Sequence, residues 1–371
     1  MRIERVGDVK RIFSAEGIHN YFAWPSITRT KDGKIVAACS GFRLEHICPF
    51  GKAVQAISTD EGETYAPPQI VIDTVLDDRD AGLCAFGKNG LILTSFNNST
   101  DFQRKIYKRR FGNKEYRTRR KYVLAYLSRV SDKEEKKALG ATFKVSFDGG
   151  VTFGPLYKSP ITSPHGPIEL SDGTVLWVGR TYTEDDSYRQ ENDRIAAYAV
   201  DPDSGEMSYL GRVDDIFENG KKTLSCEPHA VQLPDGKIIC HIRVENLEGE
   251  RVFTLYQTES TDGGKNWTRP RRILEPTGGA PAHLLLHSSG LLVCSYGYRN
   301  DPPSIRVIVS ADEGKTWSSP MIVFDGLPST PDMGYPCSVE VKGGDIITVF
   351  YAHSSLDEPA NIFQQKWRIV Q

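Results

Sequence analysis

The sequence predicts an all-β fold, a six-bladed β-propeller, from two repeats and the interval between them. The first repeat is an eight-residue box found four times: STDEGETY (58–65), SFDGGVTF (146–153), STDGGKNW (260–267) and SADEGKTW (310–317). The second is a Gly-led apolar run found six times: KDGKIVAACSGFR (31–43), KNGLILTSF (88–96), SDGTVLWVGR (171–180), LPDGKIICHIR (233–243), SSGLLVCSYGYR (288–299) and KGGDIITVFYAH (342–353). The last two boxes begin at 260 and 310, so one unit is about 50 residues long. A short β-unit at a fixed period signals a propeller, one blade per Gly-led run.

The box reads as a tight hairpin. Its Asp can bond backbone N–H groups of its own loop, its Gly supplies a positive φ, and its aromatic anchors the turn to the strand layer. A weaker fifth copy, DPDSGEMSY (201–209), keeps Gly205 and Tyr209. Ahead of each Gly-led run lies a short lead-in, often with Pro: WPS (24–26), DAGL (80–83), PHGP (164–167), EPHA (227–230), PAHL (281–284) and YPCS (335–338). The unit is therefore strand, turn, strand, then further strands closed by the box. The sixth run leaves room for only part of a blade. An N-terminal strand around residues 5–13 is expected to complete it beside NIFQQKWRIV, which removes a free edge.

Residues 1–371 are read as one domain, interrupted in the second blade by an insertion at 98–140. The part RKIYKRRFGNKEYRTRRK is strongly basic, and KYVLAYLSRVSDKEEKKALG reads as an amphipathic helix ending at Gly140. The expectations for it are a solvated helical excursion, a lid, or a homo-oligomer contact.

Composition sets the outer limits. Hydrophobic content of 39% and charged content of 25% are those of a soluble globular chain. A net charge of −2 argues against nucleic-acid partners. No apolar run reaches membrane-spanning length, and the N-terminus lacks the apolar core of a signal peptide. Seven scattered cysteines without a CxxC pair suit core thiols in a reducing compartment, so the expected location is cytoplasmic. Neither a metal nor another cofactor is expected.

Four such boxes on a six-fold β-repeat resemble the sialidase superfamily of Asp-box, or BNR-repeat, propellers. The resemblance covers nearly the whole chain outside the insertion. It implies that the boxes lie on an outer rim and that chemistry lies where the innermost strands meet the central axis. The lead-ins and the ends of the Gly-led runs then supply the candidates: Trp24, Arg43, Asp78, Asp80, His165, Arg180, Glu227, Arg243, His283, Arg299 and Tyr335. Four arginines converging on one funnel would favour a carboxylate or another anion. The family combines three arginines on the substrate carboxylate, a Tyr nucleophile assisted by a Glu, and an Asp acid/base. SCEPHAVQLPDGKIICHIR resembles the segment carrying the Glu and one Arg, which points to Glu227 and Arg243. SYGYRND gives Arg299, and DMGYPCSVEVKGGDIITVFY gives Tyr335.

Two departures are as informative. The family's opening Arg-Ile-Pro is AWPSI here, with Trp24 in place of the Arg. The loop expected to carry the acid/base Asp is GFRLEHICPFGK, which offers only Glu45 and His46, while DTVLDDRDAGL supplies Asp77, Asp78 and Asp80 at the next blade. The resulting expectation is an exo-acting glycoside hydrolase for a terminal acidic sugar. Arg243 and Arg299 would hold the carboxylate, helped by Arg43 or Arg180, and Tyr335 would attack with Glu227 as its base. His46 or an Asp of 77–80 would handle the leaving-group proton. Trp24 is a candidate sugar platform or plain packing. His165, His229 and His283 come from different blades, which favours satisfied or substrate-binding side chains over a zinc site. The competing readings are a polysaccharide lyase acting on a uronate and a non-catalytic sugar-binding propeller.

Overall fold

The computed structural model describes residues 1–109, 112, 114–183, 194–246, 252–278 and 281–370. Six antiparallel sheets of four or five strands follow one another along the chain and form the blades. The innermost strands are Tyr21–Arg29, Leu83–Phe86, the pair Ile161–Thr162 and Ile168–Glu169, Leu224–Gln232, Ala282–Leu286 and Gly334–Glu340. Each expected Gly-led run forms the next strand out, from Ile35–Arg43 in the first blade to Ile346–Ala352 in the sixth. The ring closes as expected: Arg2–Arg11 pairs antiparallel with Asn361–Val370, so the two ends of the chain share the sixth blade.

The core is divided into six apolar clusters, one between each pair of neighbouring blades. Strands buried on both faces explain why the Gly-led runs read as continuous apolar stretches. The inner strands are also joined across blades. Ser26 Oγ donates to the Pro164 carbonyl at 3.0 Å, and the Leu284 N–H donates to His229 Nδ1 at 3.0 Å. Where the second and third blades meet, a Cβ on Gly82 would lie 2.4 Å from Gly166 N, so this close approach excludes any side chain at 82.

The boxes are the expected rim hairpins. In the first, Ser58 Oγ bonds Asp60 at 2.7 Å and accepts from Gly62 N–H at 2.9 Å, while Asp60 accepts from Thr64 N–H at 2.9 Å. The same bonds recur at 146, 260 and 310.

The insertion differs from the single helix its periodicity suggested. It forms α1 (Thr100–Arg109), α2 (Lys114–Leu127) and α3 (Asp132–Ala138). Ser131 and Glu134 make a reciprocal capping box that starts a new helix, which is why the pattern does not run through. The helices do not stand apart in solvent. Tyr107, Val123 and Leu127 pack with Leu44 and Cys48, and Phe50 stacks on Tyr122 at 5.0 Å. Tyr107 Oη donates to the Ile47 carbonyl at 2.6 Å. The insertion therefore backs the loop at 44–50, the one that carries His46.

This packing predicts a local effect. Leu127→Ala should remove about 2–5 kcal/mol from the helix–loop cluster. Amide exchange should accelerate across 44–50 while the box at 310–317 keeps wild-type protection, as read by hydrogen-exchange mass spectrometry.

Candidate functional site

Four residues at the heads of inner strands have positive φ without being glycine: Trp24 (54°), Asp80 (48°), Glu227 (52°) and Tyr335 (51°). Pairing registers shift around Trp24, Glu227 and Tyr335, as at β-bulges. A bulge breaks the strict alternation of a strand and re-aims one side chain. Here it frees polar residues from the apolar inter-blade layers, and it turns Glu227 and Tyr335 into one cavity.

That cavity, of about 270 Å³, is lined by His46, Arg79, Glu227, Arg243, Glu245, Arg299, Tyr335 and Tyr351, among others. The Tyr335 hydroxyl donates to Glu227 Oε1. Arg243 Nη1 donates to Glu227 Oε2 at 2.6 Å and lies 3.3 Å from Tyr335 Oη, while Nη2 pairs with Glu245. Arg299 donates through Nε and Nη2 to the Met333 carbonyl at 3.0 and 2.8 Å, which fixes its guanidinium 5.7 Å from the Tyr335 ring centre. Burial, then the Glu227 charge, pushes the Tyr335 phenol well above its usual range, against the opposing pull of Arg243. A smaller lobe of about 40 Å³ shares Cys226 and Glu227 with the cavity and adds Asp80 and Arg180.

A carboxylate hub adjoins the cavity through His46 and Tyr351. Asp332 accepts from Tyr21 Oη at 2.9 Å and Tyr351 Oη at 3.2 Å. His46 Nδ1 lies 2.8 Å from Asp332 Oδ1, and His353 Nε2 lies 3.0 Å from Oδ2. Burial alone would raise the Asp332 pKa, but bonds from His353, His46 and Tyr21 outweigh it and hold the carboxyl far below the usual range.

The sequence candidates divide cleanly. Tyr335, Glu227, Arg243, Arg299 and His46 meet in the cavity, and Asp80 and Arg180 border its lobe. Five others do not reach it. Trp24 is 1% exposed, with the Arg43 and Arg79 guanidinium groups 4.7 and 4.1 Å from its ring centre, so it is a buried cation–π partner rather than a sugar platform. Arg43 is fully buried and paired with Asp77 at 2.6 Å, which explains both residues structurally. Asp78 is buried on Thr74 and Asn97, and burial pushes its carboxyl up to about 7. His165 and His283 sit with His229 in a buried cluster, ring centres 4.2–5.7 Å apart. His229 and His283 each accept a backbone N–H at Nδ1, which leaves the proton on Nε2 and makes both poor metal ligands.

Asp332 and Arg79 were not anticipated from sequence. Asp332 had a signal: it precedes Tyr335 by three residues, as Tyr21 precedes Trp24, Asp77 precedes Asp80 and Leu224 precedes Glu227. Tyr21 is bonded to Asp332 and Leu224 lines the cavity.

Six blades, rim boxes and a polar axial cavity define a divergent sialidase-like propeller. Residues 117–348 match the BNR repeat-like domain, and the chain belongs to that family. No curated protein sequence matches it significantly. Among solved structures, a protein of unknown function from Dyadobacter fermentans aligns over 99% of both chains, with TM-score 0.75 and 21% identity. The NanB sialidase of Streptococcus pneumoniae aligns over 97% of this chain and 70% of its own, with TM-score 0.67 and 13% identity. The Trypanosoma rangeli sialidase in complex with the inhibitor DANA aligns over 98% of this chain and 59% of its own, with TM-score 0.61 and 15% identity. At these identities the likeness carries the fold.

The histidine cluster generates a pH prediction. Burial first, then mutual repulsion, holds His165, His229 and His283 well below their usual pKa, so the native state keeps them neutral. The unfolded chain protonates them below about pH 6.5, so stability is full above that value and falls as pH drops. At pH 5.5 each histidine whose folded pKa lies lower still should cost about 1.4 kcal/mol. Urea midpoints at pH 7.5 and 5.5 should show the decline, and His165→Leu should weaken it.

Proposed function

We propose that this protein is an exo-acting glycoside hydrolase for a terminal acidic sugar, with Tyr335 as nucleophile. The observation that carries the reading is the hydrogen-bonded Tyr335–Glu227–Arg243 arrangement on the cavity wall. A phenol with a raised pKa does not persist as phenolate at neutral pH, so its proton must leave as the new bond forms. Glu227 is already its acceptor. Tyr335 Oη bonds to the anomeric carbon as the bond to the leaving oxygen breaks, and the phenol proton passes to Glu227. Water then displaces Tyr335, which recovers that proton. The net reaction is hydrolysis of one glycosidic bond.

The arginines support an anionic substrate. Arg299 is pre-oriented by Met333, Arg243 stands beside the nucleophile, and Arg79 lines the same cavity. Guanidinium groups suit carboxylates because their donors match the two oxygens.

The test is a panel of aryl and alkyl glycosides of acidic sugars, assayed for free sugar and for an ultraviolet-absorbing unsaturated product. Free sugar without the unsaturated product is the expected result. The unsaturated product would instead identify a lyase, and tight binding without turnover, unaffected by Tyr335→Phe, a sugar-binding propeller. Within the hydrolase reading, Glu227→Gln should lower kcat by about 10²-fold or more, and Tyr335→Phe by at least as much. Arg299→Met should cost about 1.5–3 kcal/mol in kcat/KM on the carboxylate substrate and far less on its carboxamide.

A further inference from the structure

The hydrolase reading leaves one proton unassigned, the one the departing oxygen must gain. The loop that should supply an acid carries Glu45 and His46. Glu45 lies beside Tyr107 of the insertion, close enough for its charge to help raise the phenol's pKa. Asp77 is occupied by Arg43, and Asp78 is buried on Thr74 and Asn97. Asp80 borders the neighbouring lobe. His46 lines the cavity that contains Tyr335, and its side chain remains 41% exposed.

His46 is also held as an acid/base needs to be held. Its Nδ1 faces Asp332 Oδ1 at 2.8 Å, so an ionised Asp332 fixes the Nδ1–H tautomer and leaves Nε2 for chemistry. Its ring is set edge-on to Trp24, with centres 4.9 Å apart. Its backbone carbonyl accepts from Arg43 Nη2 at 2.9 Å and Arg79 Nη1 at 3.1 Å. The buried Trp24–arginine assembly is thus the seat of this loop residue.

Asp332 has a second imidazole. His353 Nδ1 lies 2.6 Å from the Glu358 carbonyl, which can only accept. Its Nε2 lies 3.0 Å from Asp332 Oδ2. Both nitrogens face acceptors, which favours the doubly protonated ring; against the lowering effect of burial, the bonds to Asp332 and the Glu358 carbonyl raise the His353 pKa. Asp332 therefore serves two rings, His353 at Oδ2 and His46 at Oδ1.

We propose that His46 is the acid/base of this site, protonating the leaving oxygen from Nε2 and then deprotonating the attacking water, with Asp332 as the residue that positions it. The inference rests on the hydrolase reading. In the first step Nε2–H passes to the oxygen as its bond to the anomeric carbon breaks. In the second the neutral ring takes one proton from water as the hydroxyl oxygen bonds to that carbon and Tyr335 departs. The ring ends as it began.

The charged and titratable groups facing His46 are Asp332, Tyr21, Arg79 and Arg43, with Tyr351 and His353 beyond the carboxylate. Burial first, then the two arginines, lowers its pKa against the raising effect of Asp332. Because the acid form starts the reaction, kcat/KM should fall as pH rises through a value below about 6.5.

Two measurements test this. In kcat/KM, which reports only the step that expels the leaving group, His46→Gln should cost about 10²-fold or more on an alkyl glycoside and under about tenfold on a nitrophenyl glycoside, whose leaving group needs no proton. Equal loss on both would overturn the acid role. Titration of His46 by NMR should shift about 1–3 units down in Asp332→Asn and shift up in His353→Gln, which returns the whole carboxylate to His46. Shifts of the same sign, or none, would overturn the shared-carboxylate arrangement. If the wild-type protein releases sugar from no substrate, the hydrolase reading and the acid role fail together. The NMR shifts then still decide whether His46 and Asp332 are coupled.

Discussion

Four inner strands carry a non-glycine residue at positive φ near or just ahead of their start, and the site depends on that constraint. In a regular strand, Glu227 and Tyr335 would alternate into the apolar layers between blades. A buried carboxylate there would cost several kcal/mol unless paired. The kinked backbone costs about 1–2 kcal/mol per residue, less than that burial. It delivers both side chains to a shared wall, where each satisfies the other. Trp24 and Asp80 have the same kink with different outcomes: an aromatic seat under two arginines, and an acid at the edge of a second lobe. One backbone device repeated around the axis makes positions equivalent in geometry, and the side chain chosen at each sets its use.

The second dependence is mechanical. His46 lies in a bend-rich loop without a sheet to hold it. Such loops are ordinarily the mobile part of a fold. Here the loop is braced on both sides. Outside, α1 and α2 pack against Leu44, Cys48 and Phe50, and Tyr107 caps the Ile47 carbonyl. Inside, Arg43 and Arg79 hold the carbonyl of His46 itself. An insertion that reads as a solvated helical excursion in the sequence is a brace for the loop that faces the cavity.

The architecture was legible because propeller physics repeats. The six Gly-led runs, the four boxes and the closure by the N-terminal strand could all be counted. Tyr335, Glu227, Arg243 and Arg299 were legible because they stand at strand heads or strand ends that a propeller must direct to its axis. The failures share one cause. Arg43, Asp78, His165 and His283 occupy similar ends, but a side chain near the axis can sit in the cavity or beneath it. Sequence does not distinguish the two when a buried partner such as Asp77 or Asn97 comes from a distant turn. Asp332 was hidden for the opposite reason. Its partners Tyr21, His46 and His353 lie 311, 286 and 21 residues away in sequence, so the three-residue spacing to Tyr335 marks its place but nothing local names its partners.

The charges in the cavity also constrain what can enter it. Arg243 is already committed to Glu227 and Glu245, and an incoming carboxylate would have to compete with both. Displacing either would leave a desolvated acid unpaired, which is costly. Arg243 is therefore better suited to holding Glu227 in place beside Tyr335 than to gripping a substrate. Arg299 is different: its bonds to Met333 involve a neutral carbonyl, so its positive charge is not cancelled. Arg79 shares Asp77 with Arg43 at a looser 3.7 Å and reaches the cavity from a blade other than the one that supplies the family's opening Arg. An acidic ligand in the cavity would find Arg299 and Arg79 on a wall shared with the pre-paired Tyr335, Glu227 and Arg243.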